Sequence, residues 1–376
     1  LWCAAEKAAV AGAARAGDAR AVDEVVRGWM ESNGPTTASA LADRLGLSVD
    51  SVRDAFGRLE MQGQVFRGDF TPGLGDEWCN RRVLARVHRS MLATLRREIE
   101  PVSSAAHERF LAAWQHVAPG TQLHGVAGTR HALKQLQGLE FPAAAWETDV
   151  LPRRVARYHR DYLDKLCASG DVMWGRLSPH PAFESTAAPR RRRVRPTRVA
   201  PIALFLREDA AWLLHALPRD DGALSSAARD VRAAIARRGA SFFIDLVRAT
   251  GRLPSEVEDA LWELVAAGVV TADGFDNLRA LVDPKRRLAT SRRERGRPRN
   301  AAGRWALLEQ DAAARDVAAF ARQLLDRWGV VFRDVVMREP LAPPWRDILV
   351  ELRRMELQGI VRGGRFVAAY LGEQYC

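Results

Sequence analysis

Residues 34–70 read GPTTASALADRLGLSVDSVRDAFGRLEMQGQVFRGDF, and this stretch decides the fold because the chain writes it again. The clearest copies run from Gly34 to Phe70, Gly239 to Phe275 and Gly329 to Phe366. Each places a turn glycine, a short helix, a second turn, a longer apolar-periodic helix, and then a glycine with β-branched residues: MQGQVF at 61–66, AAGVVT at 266–271, LQGIVR at 357–362. Gly34 to Gly63 is 29 residues, Gly239 to Gly268 is 29 and Gly329 to Gly359 is 30. A constant period of that size marks one supersecondary unit used repeatedly. A looser copy runs from Gly138 to Gly170 and ends SGDVMWGRL, which makes a tandem array of four.

In the first copy Val52, Phe56 and Leu59 fall on one helix face at i, i+4 and i+7, with Arg53, Arg58 and Glu60 on the other. Ser51 with Asp54, and Ser255 with Glu258 in the third copy, have capping-box spacing, which predicts a sharp turn before the second helix. The glycine after that helix suits a left-handed cap, and Gln64 to Phe70 or Ile360 to Ala368 then read as a returning strand. Helix, turn, helix and hairpin make a winged helix, which presents its second helix to a groove and its hairpin to the sugar-phosphate backbone. The competing reading is that the units pack on one another as scaffolding.

At 376 residues with 47% apolar composition, the chain has ample material for two or three cores. It begins at Leu1 and stops directly after a wing strand, which reads as a piece of something longer. Cys3, Cys79, Cys167 and Cys376 are far apart and form no CxxC pair, so neither a zinc site nor a disulfide framework is indicated. No run of 18 apolar residues exists, and the expectation is a cytoplasmic, nucleoid-associated protein with no membrane partner.

The net charge of +11 is concentrated in two places. PRRRRVRPTRV at 189–199 carries +6, and PKRRLATSRRERGRPRN at 284–300 carries +7, which leaves −2 for everything else. Such runs read as phosphate-contacting arms with salt-dependent binding, or else as solvated linkers. Arg190, Arg191, Arg192, Arg193, Arg292 and Arg293 are the candidate contacts within them. The presumed second helices differ in charge. The first and fourth copies offer Arg53, Arg58 and Arg67, and Arg346, Arg353, Arg362 and Arg365; the second is the most basic, with Arg153, Arg154, Arg157 and Arg160. The third exposes Glu256, Glu258, Asp259 and Glu263, which repel phosphate and read as a protein-contact surface. Between copies one and two, DEWCNRRVLARVHRSMLATLRREIE at 76–100 predicts a long helix with Arg82 and Arg86 on a basic face. In HERFLAAWQH at 107–116, Phe110, Leu111 and Trp114 read as core.

VAPIALFLR at 199–207 and GRWALL at 303–308 are strand-like runs that bracket the third copy, and the expectation is that they pair antiparallel with each other in a small sheet or barrel. No GxxxxGK[ST], GxGxxG, HExxH or GxSxG is present, so no catalytic residue, metal or cofactor site is assigned. Glu140, Glu147 and Asp149 near Trp146 read as surface or capping charge.

GDFTPGLGDEWCNRRVLARVHRSMLATLRREIEPV (68–102), RFLAAWQHVAPGTQLHGVAG (109–128), LQGLEFPAAAWETDVLPRRVARYHRDYLDKLCASGDVMWGRLSP (136–179) and AAGRWALL (301–308) together resemble the large helicase-related (Lhr) family, in its C-terminal region. The resemblance implies a bacterial superfamily 2 DNA helicase that is ATP-dependent, moves 3′ to 5′ on single-stranded DNA and is linked to DNA repair. It implies that the RecA-like motor, with its ATP and Mg, lies N-terminal to Leu1. It implies winged helices with a β-barrel module, homo-oligomerisation, and a likeness to winged-helix DNA glycosylases.

The expected fold is mainly α with small β hairpins: winged helices at 1–75, 129–180, 221–283 and 313–376, a helical connector at 76–128, and basic linkers with strands at 181–220 and 284–312. The expected function is a DNA-binding, self-associating module that partners single-stranded or tailed DNA and its own helicase domains. A base-excision glycosylase and a sequence-specific transcription regulator are the alternatives. The mixed and acidic second helices of copies one and three argue against the regulator.

Overall fold

The computed structural model describes residues 4–178, 180, 200–214, 224–276, 278–279, 303–308 and 316–376. The chain divides into two compact units, Leu1–Ile99 and Glu100–Cys376.

In the first unit α1 (Ala8–Arg15) and α2 (Ala19–Met30) lead into the helix-turn-helix pair α3 (Ala38–Leu45) and α4 (Val49–Met61). Val52, Phe56 and Leu59 are fully buried, as their spacing requires, and pack with Val22, Val26, Met30 and Leu41. The cap of α4 lies earlier than Ser51: Ser48 Oγ accepts from the Ser51 amide at 3.1 Å. The wing is β1 (Val65–Gly68) paired antiparallel with β2 (Glu77–Asn80), which places the end of this winged helix beyond residue 75. Phe56 and Trp78 stack at 4.8 Å, locking wing to helix. The basic-faced helix is α5 (Arg81–Arg97), and of its residues only Val83 is buried within the unit.

The second unit opens with α6 (Ser104–Trp114). Then β3 (Leu123–His124), α7 (Gly125–Leu136), β4 (Phe141–Pro142), a π-helical turn at Trp146–Val150, α8 (Leu151–Arg154), β5 (Val155–Ala156), α9 (Arg160–Ala168), β6 (Val172–Gly175) and β7 (Pro201–Leu206) build the second winged helix. After α10 (Ala210–Leu214), the third comprises α11 (Ser226–Arg238), β8 (Ser241–Phe242), α12 (Phe243–Thr250), α13 (Pro254–Ala266), β9 (Val270–Ala272) and β10 (Arg304–Leu307). The fourth comprises α14 (Val317–Trp328), α15 (Arg333–Val336), α16 (Trp345–Leu357), β11 (Gly363–Gly364) and β12 (Gln374–Tyr375).

The two strand-like runs do not pair with each other. β7 pairs with β6 and β4, and β10 pairs with β9 and β8, so each completes the wing of the winged helix before it. No closed barrel forms among the described residues. Phe205 and Trp305 are nonetheless fully buried sheet residues, as expected. The second helices α4, α13 and α16 each contain 13 residues and end at Gly63, Gly268 and Gly359, all left-handed.

The second and third winged helices share one core running from Ala132 through Trp174 to Trp305. Trp174 and Trp262 meet the Trp305 ring edge-on at 6.3 and 5.7 Å. Thr271 donates to the Trp174 carbonyl at 2.6 Å, and the Trp174 indole donates to Gly274 O at 3.1 Å. The fourth winged helix joins through the end of α7, whose last carbonyls have no partner in their own helix. Gln323 donates to Lys134 O and Gln135 O at 3.0 Å, and fully buried Arg327 donates to Gln135 O at 3.1 Å and to Gln137 O while pairing with Glu339. The aromatic side of α6 lies on this fourth unit, where Trp114 donates to Asp326 O at 2.9 Å.

Gly268 and Gly359 occupy equivalent left-handed positions, at φ of 71° and 72°. A Cβ on Gly359 meets nothing within 4 Å, whereas one on Gly268 lies 2.7 Å from the Arg176 carbonyl of the second wing. Gly359→Ala is expected to cost the left-handed penalty of about 1–2 kcal/mol. Gly268→Ala is expected to cost clearly more, because backbone must also shift; thermal unfolding of the two variants measures the difference.

Candidate nucleic-acid interface

The arginines of the first winged helix are engaged at home. Arg53 pairs with Asp50 at 3.2 Å, and Arg58 grips Asp23 of α2 through Nε and Nη2 at 2.7–3.0 Å. Arg67 pairs with Asp76 across the wing, its guanidinium 5.6 Å from the Trp78 ring centroid. The side chains of Arg82 and Arg86, on α5, are exposed and have no acid or hydrogen-bond partner among the described residues, while the Arg82 amide donates to Asn80 Oδ1 at 2.8 Å. In the fourth winged helix Arg353 is held by Glu373 of the wing, and Arg365 donates to Ala368 O at 2.8 Å. Arg346 and Arg362 are exposed, on the first turn of α16 and beside the wing glycines.

The third second-helix, α13, is not an open acidic face. Glu256 reaches back to the Leu253 amide at 3.1 Å, so the cap begins at Leu253 rather than Ser255. Glu263 accepts from the Ser225 amide at 2.7 Å, and Glu258 and Asp259 are half-buried. Trp262 stands where the first and fourth helices carry Gly57 and Arg353 outward, and it is buried against Trp305. With Val257, Ala260, Leu261, Leu264, Val265 and Ala266 also buried, α13 is enclosed by its own chain.

The second winged helix keeps the most open basic surface. Arg153, Arg157, Arg160 and Lys165 are exposed around the α8–α9 turn. Arg153 approaches Asp149 at 3.7 Å; Arg157, Arg160 and Lys165 have no acid partner among the described residues. Arg154 is half-buried, bonded to Val150 O at 3.1 Å with no carboxylate partner there, and burial followed by the neighbouring charge of Arg153 pulls its pKa down.

Arg190, Arg191, Arg192, Arg193, Arg292 and Arg293 lie outside the described residues, but the strands that bracket them are plain. In the sequence the first run falls between β6 and β7, and the second between β9 and β10. Residues 174, 176 and 180 run past 271 and 274, 268, and 266 respectively, so these two segments pass each other antiparallel.

Carboxylates that read as capping or surface charge organise these wings. Glu140 accepts from the amides of Leu177 and Ser178 at 2.6 and 3.1 Å and from the Ser178 hydroxyl. Glu77 does the same for Phe70, Thr71 and the Thr71 hydroxyl at 2.6–3.1 Å. Glu147 is buried in an ion pair with Arg279 at 2.7 Å. Nothing local in the sequence marks Arg279. The visible signal for the wings was that each copy ends on one strand and needs a second.

No group of three or more potential metal ligands occurs among the described residues, and no helix there is long and apolar enough to cross a membrane. The second and fourth winged helices coincide with matches to the winged-helix domain of large helicase-related protein, over residues 102–194 and 309–376. The chain belongs to the large helicase-related family. It is 32% identical to the Lhr helicase/probable uracil glycosylase of Mycolicibacterium smegmatis over 94% of its length, and 28% identical to the Lhr helicase/uracil glycosylase of Escherichia coli over 92%. It spans about a quarter of each of these relatives, 24% in both cases.

Arg58 of this Lhr chain is tied into its fold, with about a third of its side chain exposed (36%) against a more buried Asp23 (16%). Arg58→Ala is expected to lower the stability of the first unit by about 1 kcal/mol. Nucleic-acid affinity should stay unchanged; denaturant unfolding beside a binding titration checks both.

Proposed function

We propose that this stretch of an Lhr-family protein is a nucleic-acid-binding platform that keeps a helicase motor on its strand. The observation that supports it is the placement of both arginine runs between the paired strands of a wing, the part of a winged helix that lies along the sugar-phosphate backbone. Two arginine runs flanked in sequence by strands of one shared core offer two attachments. The second then forms at high effective concentration once the first is made. On this reading the partner is single-stranded or single-strand-tailed DNA, the motor is an ATP- and Mg-dependent 3′-5′ translocase elsewhere in the protein, and the process is DNA repair in the cytoplasm. Self-association of the region belongs to the same proposal.

Replacing Arg190–Arg193 together with Arg292, Arg293, Arg295 and Arg297 by alanine is expected to weaken single-strand binding by tenfold or more at ~100 mM salt. It should also flatten the salt dependence by roughly 0.7 per lost phosphate contact. Binding isotherms over a salt series read both quantities, and an unchanged slope excludes the wings as contacts.

A second reading, excision of uracil from DNA, rests on the names carried by both relatives. No residue of this chain is assigned to it. Incubation with uracil-containing DNA followed by alkali tests it: strand scission at the uracil is expected if these residues suffice, and intact strands remove the activity from this stretch.

A further inference from the structure

The α8–α9 turn of the second winged helix has three features that ordinary turns lack. Arg157 is one of two non-glycine residues among the described residues with a left-handed backbone, φ 49°. Such a conformation in a residue with a long side chain persists only where its surroundings impose it, and it often marks function. The turn is entered from a π-helical segment, Trp146–Val150, a rare geometry that recurs at functional sites. Its flanks are also joined by a side chain from a different winged helix.

That side chain is Arg279, which follows β9 of the third winged helix. It is 8% exposed. Its Nε and Nη2 contact the Glu147 carboxylate at 2.8 and 2.7 Å, ahead of the turn. Its Nη1 contacts Asp164 at 2.6 Å, beyond the turn on α9, and Asp276 at 2.9 Å. Tyr158, next to Arg157, donates to Glu147 at 3.3 Å. One guanidinium therefore spans both ends of the segment that carries Arg153, Arg157 and Arg160. Burial opposes its charge, but the hydrogen bonds and attraction of Glu147 outweigh that and hold it protonated above its ordinary range. Burial also pushes the Asp164 carboxyl and the Tyr158 hydroxyl up, as expected for a desolvated cluster.

The carboxylates in the cluster face Arg279 and leave the outer side of the turn basic. Outward, Arg157 and Arg160 have no carboxylate partner among the described residues, and Asp149 and Asp161 engage Arg153 and His159 at 3.7 and 3.2 Å. A turn whose backbone is held in an unfavourable conformation so that unpaired guanidinium groups point to solvent is built to receive an anion, and repeated anions along a strand suit several such groups at once.

We propose that the Arg153–Arg160 turn is a backbone-phosphate contact of the second winged helix, and that Arg279 of the third winged helix is the positioning residue that fixes its shape. This rests on the nucleic-acid reading above, and it makes the two winged helices one composite surface: separating them unshapes the contact without removing any of its arginines.

The test uses the full 376-residue chain and a fluorescent single-stranded oligonucleotide over a salt series. Arg157→Gly relieves the left-handed backbone, so the expected Tm is equal or higher while affinity falls about fivefold or more; with Arg160→Ala added, the salt slope should drop by about 1.4, two single-strand phosphate contacts. A variant Arg157→Gly that binds like the wild type overturns the contact. Arg279→Lys keeps the charge but loses the two-sided bridge. It should weaken binding by a similar factor and add nothing further in combination with Arg157→Gly and Arg160→Ala. Full additivity, or wild-type binding by Arg279→Lys, overturns the positioning role. Should Arg279→Lys fail to fold, Asp164→Asn removes one arm of the bridge and leaves the buried Glu147 pair intact, with the same outcomes read. Loss in the turn variants with no loss in the wing variants rejects the wings alone. No loss in either overturns both the turn and the wings as contacts, whereas no binding by the wild-type chain rejects the nucleic-acid reading as a whole.

Discussion

A hairpin that carries many like charges at its tip is pulled open by them, so its root has to be fixed by something other than the ladder of a four-residue strand. In this chain the fixing element beneath three of the four wings is a side-chain acceptor. Glu77 takes two adjacent amides and a threonine hydroxyl, and Glu140 takes two adjacent amides and a serine hydroxyl. In the fourth wing a neutral amide serves, Gln374 accepting from Phe366 and Val367 at 2.9 and 2.8 Å. Buried backbone amides cost free energy when left unsatisfied, so these side chains decide where each hairpin may turn. The third wing departs from the pattern: its root is held by Asp273 on Arg304 and by Arg279 reaching into the second winged helix. That exchange makes the middle pair a single body.

One unit repeated four times thus serves different ends through single positions. Gly57, Trp262 and Arg353 occupy the same place on three second helices of equal length. Glycine leaves the face bare, tryptophan turns it into a joint, and arginine reaches across to a wing glutamate. Scaffold and reader were posed as competing readings of the repeat, and in the third unit the scaffold role holds: α13 is spent on burying its neighbour. Two of its acidic residues serve the fold itself, Glu256 capping the helix and Glu263 holding the Ser225 amide.

The repeat, the helix faces and the wing glycines were legible in the sequence because they depend on local periodicity. Val52, Phe56 and Leu59, with their counterparts in α13 and α16, needed only the i, i+4, i+7 spacing. The strand partners were not legible. β6 and β7 are separated by 25 residues and β9 and β10 by 31, and nothing in VAPIALFLR distinguishes a returning wing strand from a member of a separate sheet. Arg58 and Arg67 read as outward charge because their partners Asp23 and Asp76 sit in other elements, which helical spacing cannot reveal.

Charge segregation is what remains once those pairs are counted. Outside the two runs the chain is slightly acidic, and Arg58, Arg67, Arg279, Arg327 and Arg353 each meet a carboxylate. Such arginines stabilise the fold and are insensitive to added salt when buried. Arg157 and Arg160, like Arg82 and Arg86 of α5, are exposed and without an acid partner among the described residues. Arginine in this chain therefore divides by partner rather than by position in the sequence. Those with internal acids hold the winged helices together.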